Sequence, residues 1–166
     1  MGGHRSRARR YAVLALYQWQ LTGQDPVEIG GQFRNDAAWV DEIAAAFGDR
    51  GDTPEAGEGK TRTYDQELFR QLLYGVPARR ETVDAGLQPA LDRPLERVDP
   101  VERAILRAGT YELLYSPSVP YRVVINEAVE MTKLLGAEQG HRYINGVLDR
   151  VAHDARAGEI GAGSAR

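Results

Sequence analysis

Residues 7–21, RARRYAVLALYQWQL, contain neither glycine nor proline, and the reading of this stretch decides the fold. Leu14, Tyr17 and Leu21 recur at helical spacing, while Val13, Leu16 and Trp19 carry apolar surface around the other faces. A helix that is apolar on nearly every side is one that other elements surround. Gly23 ends it, and Asp25-Pro26 reads as an N-cap followed by proline at the first helical position. A second helix is predicted over residues 26–47, anchored by Ile29, Phe33, Val40, Ile43 and Phe47. Residues 48–62 hold four glycines, one proline and no large apolar side chain, which predicts a flexible loop. A third helix over residues 64–87 is expected to bend or split after Gly75, because Pro77 lacks an N–H and crowds the preceding turn.

A short piece carrying Leu91 and Leu95 leads to Asp99-Pro100, a second cap-plus-proline start, for a helix over residues 101–115. Pro120 opens the next, which Gly136 closes. A last helix begins near Gln139-Gly140 and shows Ile144, Val147, Leu148 and Val151 in register. The Gly/Ala/Ser-rich tail, residues 158–166, is expected to be disordered. Strand-like alternation is nowhere sustained, so the chain is predicted to be all-α, with one domain over residues 1–157.

Composition narrows the chemistry. A length of 166 residues suits one domain. The absence of cysteine excludes disulfides, thiolate metal sites and a cysteine nucleophile. No run reaches the roughly 18–20 apolar residues of a membrane span, and the basic start has no apolar signal-peptide core behind it, so a cytoplasmic chain is expected. His4, His141 and His153 stand in no metal-ligand or catalytic spacing, and no phosphate-cradling glycine loop follows a strand. No catalytic residue, metal or cofactor is assigned, and the chain is expected not to be an enzyme.

The net charge of −3 conceals an asymmetry. The first ten residues carry Arg5, Arg7, Arg9 and Arg10 and no acid, leaving −7 on the rest. A basic arm on an acidic body suggests a polyanion-binding segment. Arginine offers a planar, permanently charged fork for phosphate and can stack on bases. If the arm is helical, Arg5 and Arg9 share one face, one turn apart. A solubilising terminus is the plain alternative. Residues 136–146, GAEQGHRYING, form the second feature: a helix end, a tight loop and a new helix whose first turn presents Gln139, Arg142 and Tyr143. Free N–H groups at a helix start favour phosphate, and an accessible tyrosine can stack an unpaired base. A capped helical hairpin with Tyr143 in the core is the competing reading.

The ordered set Arg9-Arg10-Tyr11 through Gln20, Glu102-Arg103-Ala104-Ile105-Leu106-Arg107, Val119-Pro120-Tyr121, Ile125-Asn126-Glu127-Ala128 and Tyr143-Ile144-Asn145-Gly146-Val147-Leu148-Asp149 resembles the NusB family of bacterial transcription antitermination factors. The resemblance implies a seven-helix fold of two small packed bundles. It implies binding of single-stranded boxA RNA from ribosomal RNA transcripts together with NusE, a small-subunit ribosomal protein, and read-through by RNA polymerase within an antitermination complex. On that resemblance the RNA-contacting residues are Arg5, Arg7, Arg9, Arg10, Gln139 and Tyr143, to which Arg142 is added from its place in the same helix turn, and the NusE face holds Tyr17, Glu96 and Glu102. Gln139 departs from the acidic residue of the best-known members, which removes a charge that would repel phosphate. Two other readings stay open: an RNA-presenting domain related to RNA cytosine methyltransferases, and a structural module that homodimerises, as some family members do.

Overall fold

The computed structural model describes residues 3–46, 64–135 and 139–164; the predicted loop at residues 48–62, the cap at Gly136 and the anchor Phe47 lie outside them. Nine α-helices and two short 3-10 turns, with no strand, make up the described residues. Helix α1 (Gly3–Thr22) runs through the centre, and Tyr11, Ala12, Val13, Leu14, Ala15 and Leu16 are all buried, so the helix is enclosed over that stretch; toward its end Tyr17 and Trp19 are half-buried and Leu21, expected in the apolar stripe, is exposed. Gly23 follows it with φ of 69°, a left-handed conformation that costs glycine nothing.

The predicted second helix is two. Helix α2 (Pro26–Asn35) ends at Asp36, whose carboxylate then accepts the Trp39 N–H at 2.9 Å and starts α3 (Ala37–Ala46). An aspartate that can satisfy a backbone donor locally competes with helix continuation. Asp25 caps α2 as expected, accepting the Val27 N–H, and Ile29, Phe33 and Val40 are buried.

The third also divides, but later than expected. Pro77 is accommodated inside α4 (Gln66–Ala78), and the break falls at Arg79, before α5 (Arg80–Leu87). The residues around Leu91 and Leu95 form the 3-10 turns Gln88–Ala90 and Leu95–Arg97. Asp99 caps α6 (Pro100–Tyr115) by accepting the Val101 and Glu102 N–H groups at 3.0 and 3.2 Å. Helices α7 (Tyr121–Leu135) and α8 (Gly140–Ala155) complete the predicted series.

The disordered tail is corrected: residues Ala157–Ser164 form a further helix, α9. Arg156 explains why. Its guanidinium is buried and donates to the carbonyls of Leu113, Ser116 and Val119 at 2.8, 2.9 and 2.9 Å, to Glu112 O at 3.2 Å, and to the Glu159 carboxylate at 2.7 Å. Glu159 in turn accepts the Tyr121 N–H at 3.1 Å. One side chain thus binds carbonyls at the end of α6 and in the turn that follows it, and holds the start of α9.

Helices α1, α2 and α4 pack as one group and α6, α7 and α8 as another, with α6 touching both, which is the two-bundle arrangement implied by the resemblance. A single contiguous apolar core joins them. No helix of the described residues is long and apolar enough to cross a membrane.

Candidate nucleic-acid interface

The arm is the opening of α1, not a separate segment, and its arginines divide in two. Arg9 is 3% exposed and donates through Nε and Nη2 to both oxygens of Glu112, itself 2% exposed, at 2.7 and 3.0 Å. Its Nη1 lies 3.8 Å from Glu127. Burial disfavours its charge, but the bonds and charge of Glu112, with Glu127 and Asp65, overcome this and raise its pKa. The expectation that Arg9 faces a polyanion beside Arg5 is therefore corrected: the helix turns Arg9 toward α6 and the carboxylate encloses it. Arg7 is 9% exposed. Arg5 is exposed and lies 3.5 Å from Asp65, and Arg10 is half-buried. Ser6 donates to Glu127 at 2.7 Å, so Glu127 is a tether for the arm. The Asp65 N–H donates to the His4 carbonyl at 3.0 Å, fixing the arm to the start of α4.

At the second feature, Gln139 and Arg142 are exposed, Gln139 makes no side-chain cap, and Tyr143 is half-buried at the surface instead of in the core. Tyr143 donates through its hydroxyl to Asp92 at 3.2 Å, and the Arg93 guanidinium lies 4.9 Å from the ring centroid. Arg93 also holds Asp92 in a bidentate pair at 2.7 and 3.1 Å. Partial burial and then the Asp92 bond raise the Tyr143 pKa, while the Arg93 bond lowers that of Asp92. Sequence reasoning missed Asp92 and Arg93; an adjacent acid–base pair between two short turns carries no signal that it will meet a helix 51 residues away.

The two openings border the same helix. Ser6 reaches α7 at Glu127, and Gly140 lies so close to α7 and α6 that a side chain there would meet Thr132 and the Glu102 carboxylate. Five residues along α7 separate the two points, about 7.5 Å of axial rise. Of the residues expected to face a protein partner, Glu96 is exposed on the 3-10 turn and Tyr17 is half-buried on α1. Glu102 is half-buried against the α8 opening. Burial and Asp99 raise its pKa, and Arg93 opposes them. The structure brings Glu102 to the α8 opening, whereas Tyr17 and Glu96 lie on separate elements. Among the described residues, no group of three or more acids and histidines is placed to hold a metal ion.

Fold and site together define a small all-helical domain with exposed Arg5 at one helix opening and exposed Arg142 at another, both openings bordering α7. The NusB family model matches residues 6–153. The transcription antitermination protein NusB of Nitrosococcus oceani is 47% identical over 160 residues, covering 96% of this chain and 93% of its own length. That of Alkalilimnicola ehrlichii is 49% identical over 161 residues, covering 95% and 87%. Among solved structures, T. maritima NusB aligns with a TM-score of 0.65 at 28% identity, covering 92% of each chain. A crystal structure of the antitermination factors NusB and NusE in complex with double-stranded RNA aligns with a TM-score of 0.68 at 24% identity, covering 93% of this chain and 99% of that one, a likeness of fold. The chain belongs to the NusB family.

Proposed function

We propose that this protein is a non-enzymatic, cytoplasmic adaptor of transcription antitermination that holds single-stranded boxA RNA while an acidic face holds NusE, helping RNA polymerase read through terminators. The observation that carries the reading is the pairing of exposed Arg5 and half-buried Arg10 at the α1 opening with Gln139, Arg142 and Tyr143 at the α8 opening, both bordering α7. Arg7 joins this set only at the edge of the buried core, and Arg9 serves it by fixing the helix from which Arg5 and Arg10 project. The names of the relatives support the antitermination role, and the NusB–NusE–RNA complex of similar fold supports the two classes of ligand.

Tyr17, Glu96 and Glu102 are the residues proposed to meet NusE; acids facing a basic ribosomal protein are electrostatically suited to set orientation and association rate. RNA affinity alone is modest, because two of the arm's four arginines, Arg7 and Arg9, are buried and the rest of the chain is acidic. The test is to mix the full chain with NusE and a boxA RNA and score a ternary complex by size-exclusion chromatography with light scattering. A complex that forms with boxA RNA and not with a scrambled sequence is expected. A chain that stays unassociated with both ligands at low ionic strength overturns the reading.

A further inference from the structure

One exposed aromatic surface lies outside everything assigned above. Tyr115, at the end of α6, is 37% exposed and supplies the only aromatic ring among the exposed large apolar side chains of the described residues. Its ring lies 5.0 Å from that of Tyr111, one turn earlier, and the Arg79 guanidinium stands 5.4 Å from its centroid. The fold makes room for this pair. A side chain at Gly75 would overlap the Tyr111 ring, so glycine in α4 lets the ring lie directly on the helix backbone.

The platform is continuous with the arm. A cleft of about 320 Å³ runs from Arg5 past Glu67 and Gln71 to Tyr115. A second hollow, about 390 Å³, shares Glu67 and Gln71 and continues to Arg70, Tyr74 and Tyr111. The Asp65–His4 backbone bond fixes the arm end of this path to the start of α4. Its electrostatics sort the parts of a nucleic acid. Asp65, paired with Arg5 at 3.5 Å, and Glu67 line the cleft and disfavour phosphate there, whereas Arg70 and Arg79 carry cations farther along the path. A strand with its bases toward the tyrosines and its phosphates along the arginines fits that division; stacking on aromatic rings with cationic support is how single strands are held without sequence readout.

We infer that the groove between α4 and the end of α6, centred on Tyr111 and Tyr115, is a second single-stranded RNA site that receives nucleotides flanking the segment held by the arm. It rests on the proposal that Arg5 and Arg10 contact RNA. Sequence-tolerant stacking here extends the bound length without adding base specificity.

The test compares a boxA RNA with the same RNA lengthened at both ends by unstructured uridines, by fluorescence anisotropy on the full chain. Lengthening is expected to tighten binding about tenfold, within what one stacked base contributes. Tyr115→Ala, at an exposed position, is expected to erase that gain and leave the short RNA's affinity unchanged, with Arg79→Ala removing part of it. A 4-thiouridine in the extension should crosslink to the peptide containing Tyr115. Equal affinities for the two RNAs, as a groove serving a protein would give, overturn the inference, as does a gain that survives the Tyr115→Ala/Arg79→Ala double variant. A short RNA that fails to bind while the long one binds through Tyr115 overturns the role of the arm and upholds the groove. Failure of both overturns both.

Discussion

The openings of α1 and α8 hold their side chains in opposite ways. At α1 the chain is fastened from inside: Arg9 meets Glu112 in a buried bidentate pair, Ser6 meets Glu127, and the His4 carbonyl accepts from Asp65. At α8 the fastening is outside: Tyr143 leans on exposed Asp92 and Arg93, and Gln139 provides no cap. Buried ion pairs hold geometry strongly once formed but are punishing to break, while exposed ones contribute little and yield readily. The α1 opening is thus a rigid mount for Arg5 and Arg10, and the α8 opening is free to exchange its protein contacts for a ligand's.

The sharpest way to break this contrast is Arg9→Ala. It strands the Glu112 carboxylate, and a loss of about 3–5 kcal/mol is expected, read as a lowered urea midpoint at constant m. Replacing both partners with Met and Leu should recover most of it. If Arg9→Ala instead leaves stability intact and only weakens RNA binding, the inward assignment is wrong. Next in size, Tyr143→Ala should weaken RNA binding by about 1–3 kcal/mol, the range for one stacked base, with little change in Tm. Tyr143→Phe keeps the ring and should bind nearly as wild type.

Which arginine faced which way was not legible from sequence. The helix containing the arm, the caps at Asp25 and Asp99 and the start at Gly140 all followed from local chemistry: proline, glycine and aspartate act on their own neighbours. Arg9, by contrast, is distinguished from Arg5 only by Glu112, 103 residues on, and no local pattern announces that partner. The same holds for α9, where a Gly/Ala/Ser composition read as disorder is ordered by Arg156 reaching back to α6. At Asp36 the signal was present, since aspartate favours caps, but the apolar anchors on both sides masked it. At the candidate interface the residue types were visible, and the roles of Asp92 and Arg93 were not.

A smaller effect sharpens the electrostatic side. Substituting Arg5, Arg10 or Arg142 with alanine should each flatten the log–log salt dependence of RNA binding by about 0.7, with stability changed by less than about 0.5 kcal/mol. A slope unchanged in all three would remove both openings from the RNA contact. Smallest is Glu102→Gln. Because the folded-state pKa of Glu102 lies above its unfolded value, protonation favours the folded chain, so its ionisation subtracts stability as pH rises through that pKa. The glutamine variant is expected to show a slightly higher Tm at neutral pH, an advantage that disappears in acid, and weaker binding of NusE. A lower Tm at neutral pH would mean that the carboxylate supports the α8 opening.

Glu112 touches both extremities of the described chain: its side chain takes Arg9, and its carbonyl takes Arg156. During synthesis the α1 opening has no inner anchor until residue 112 has left the ribosome, and the anchor itself is not locked until residue 156 follows. A product ended before residue 156 would therefore carry the arm's arginines on an unfinished scaffold.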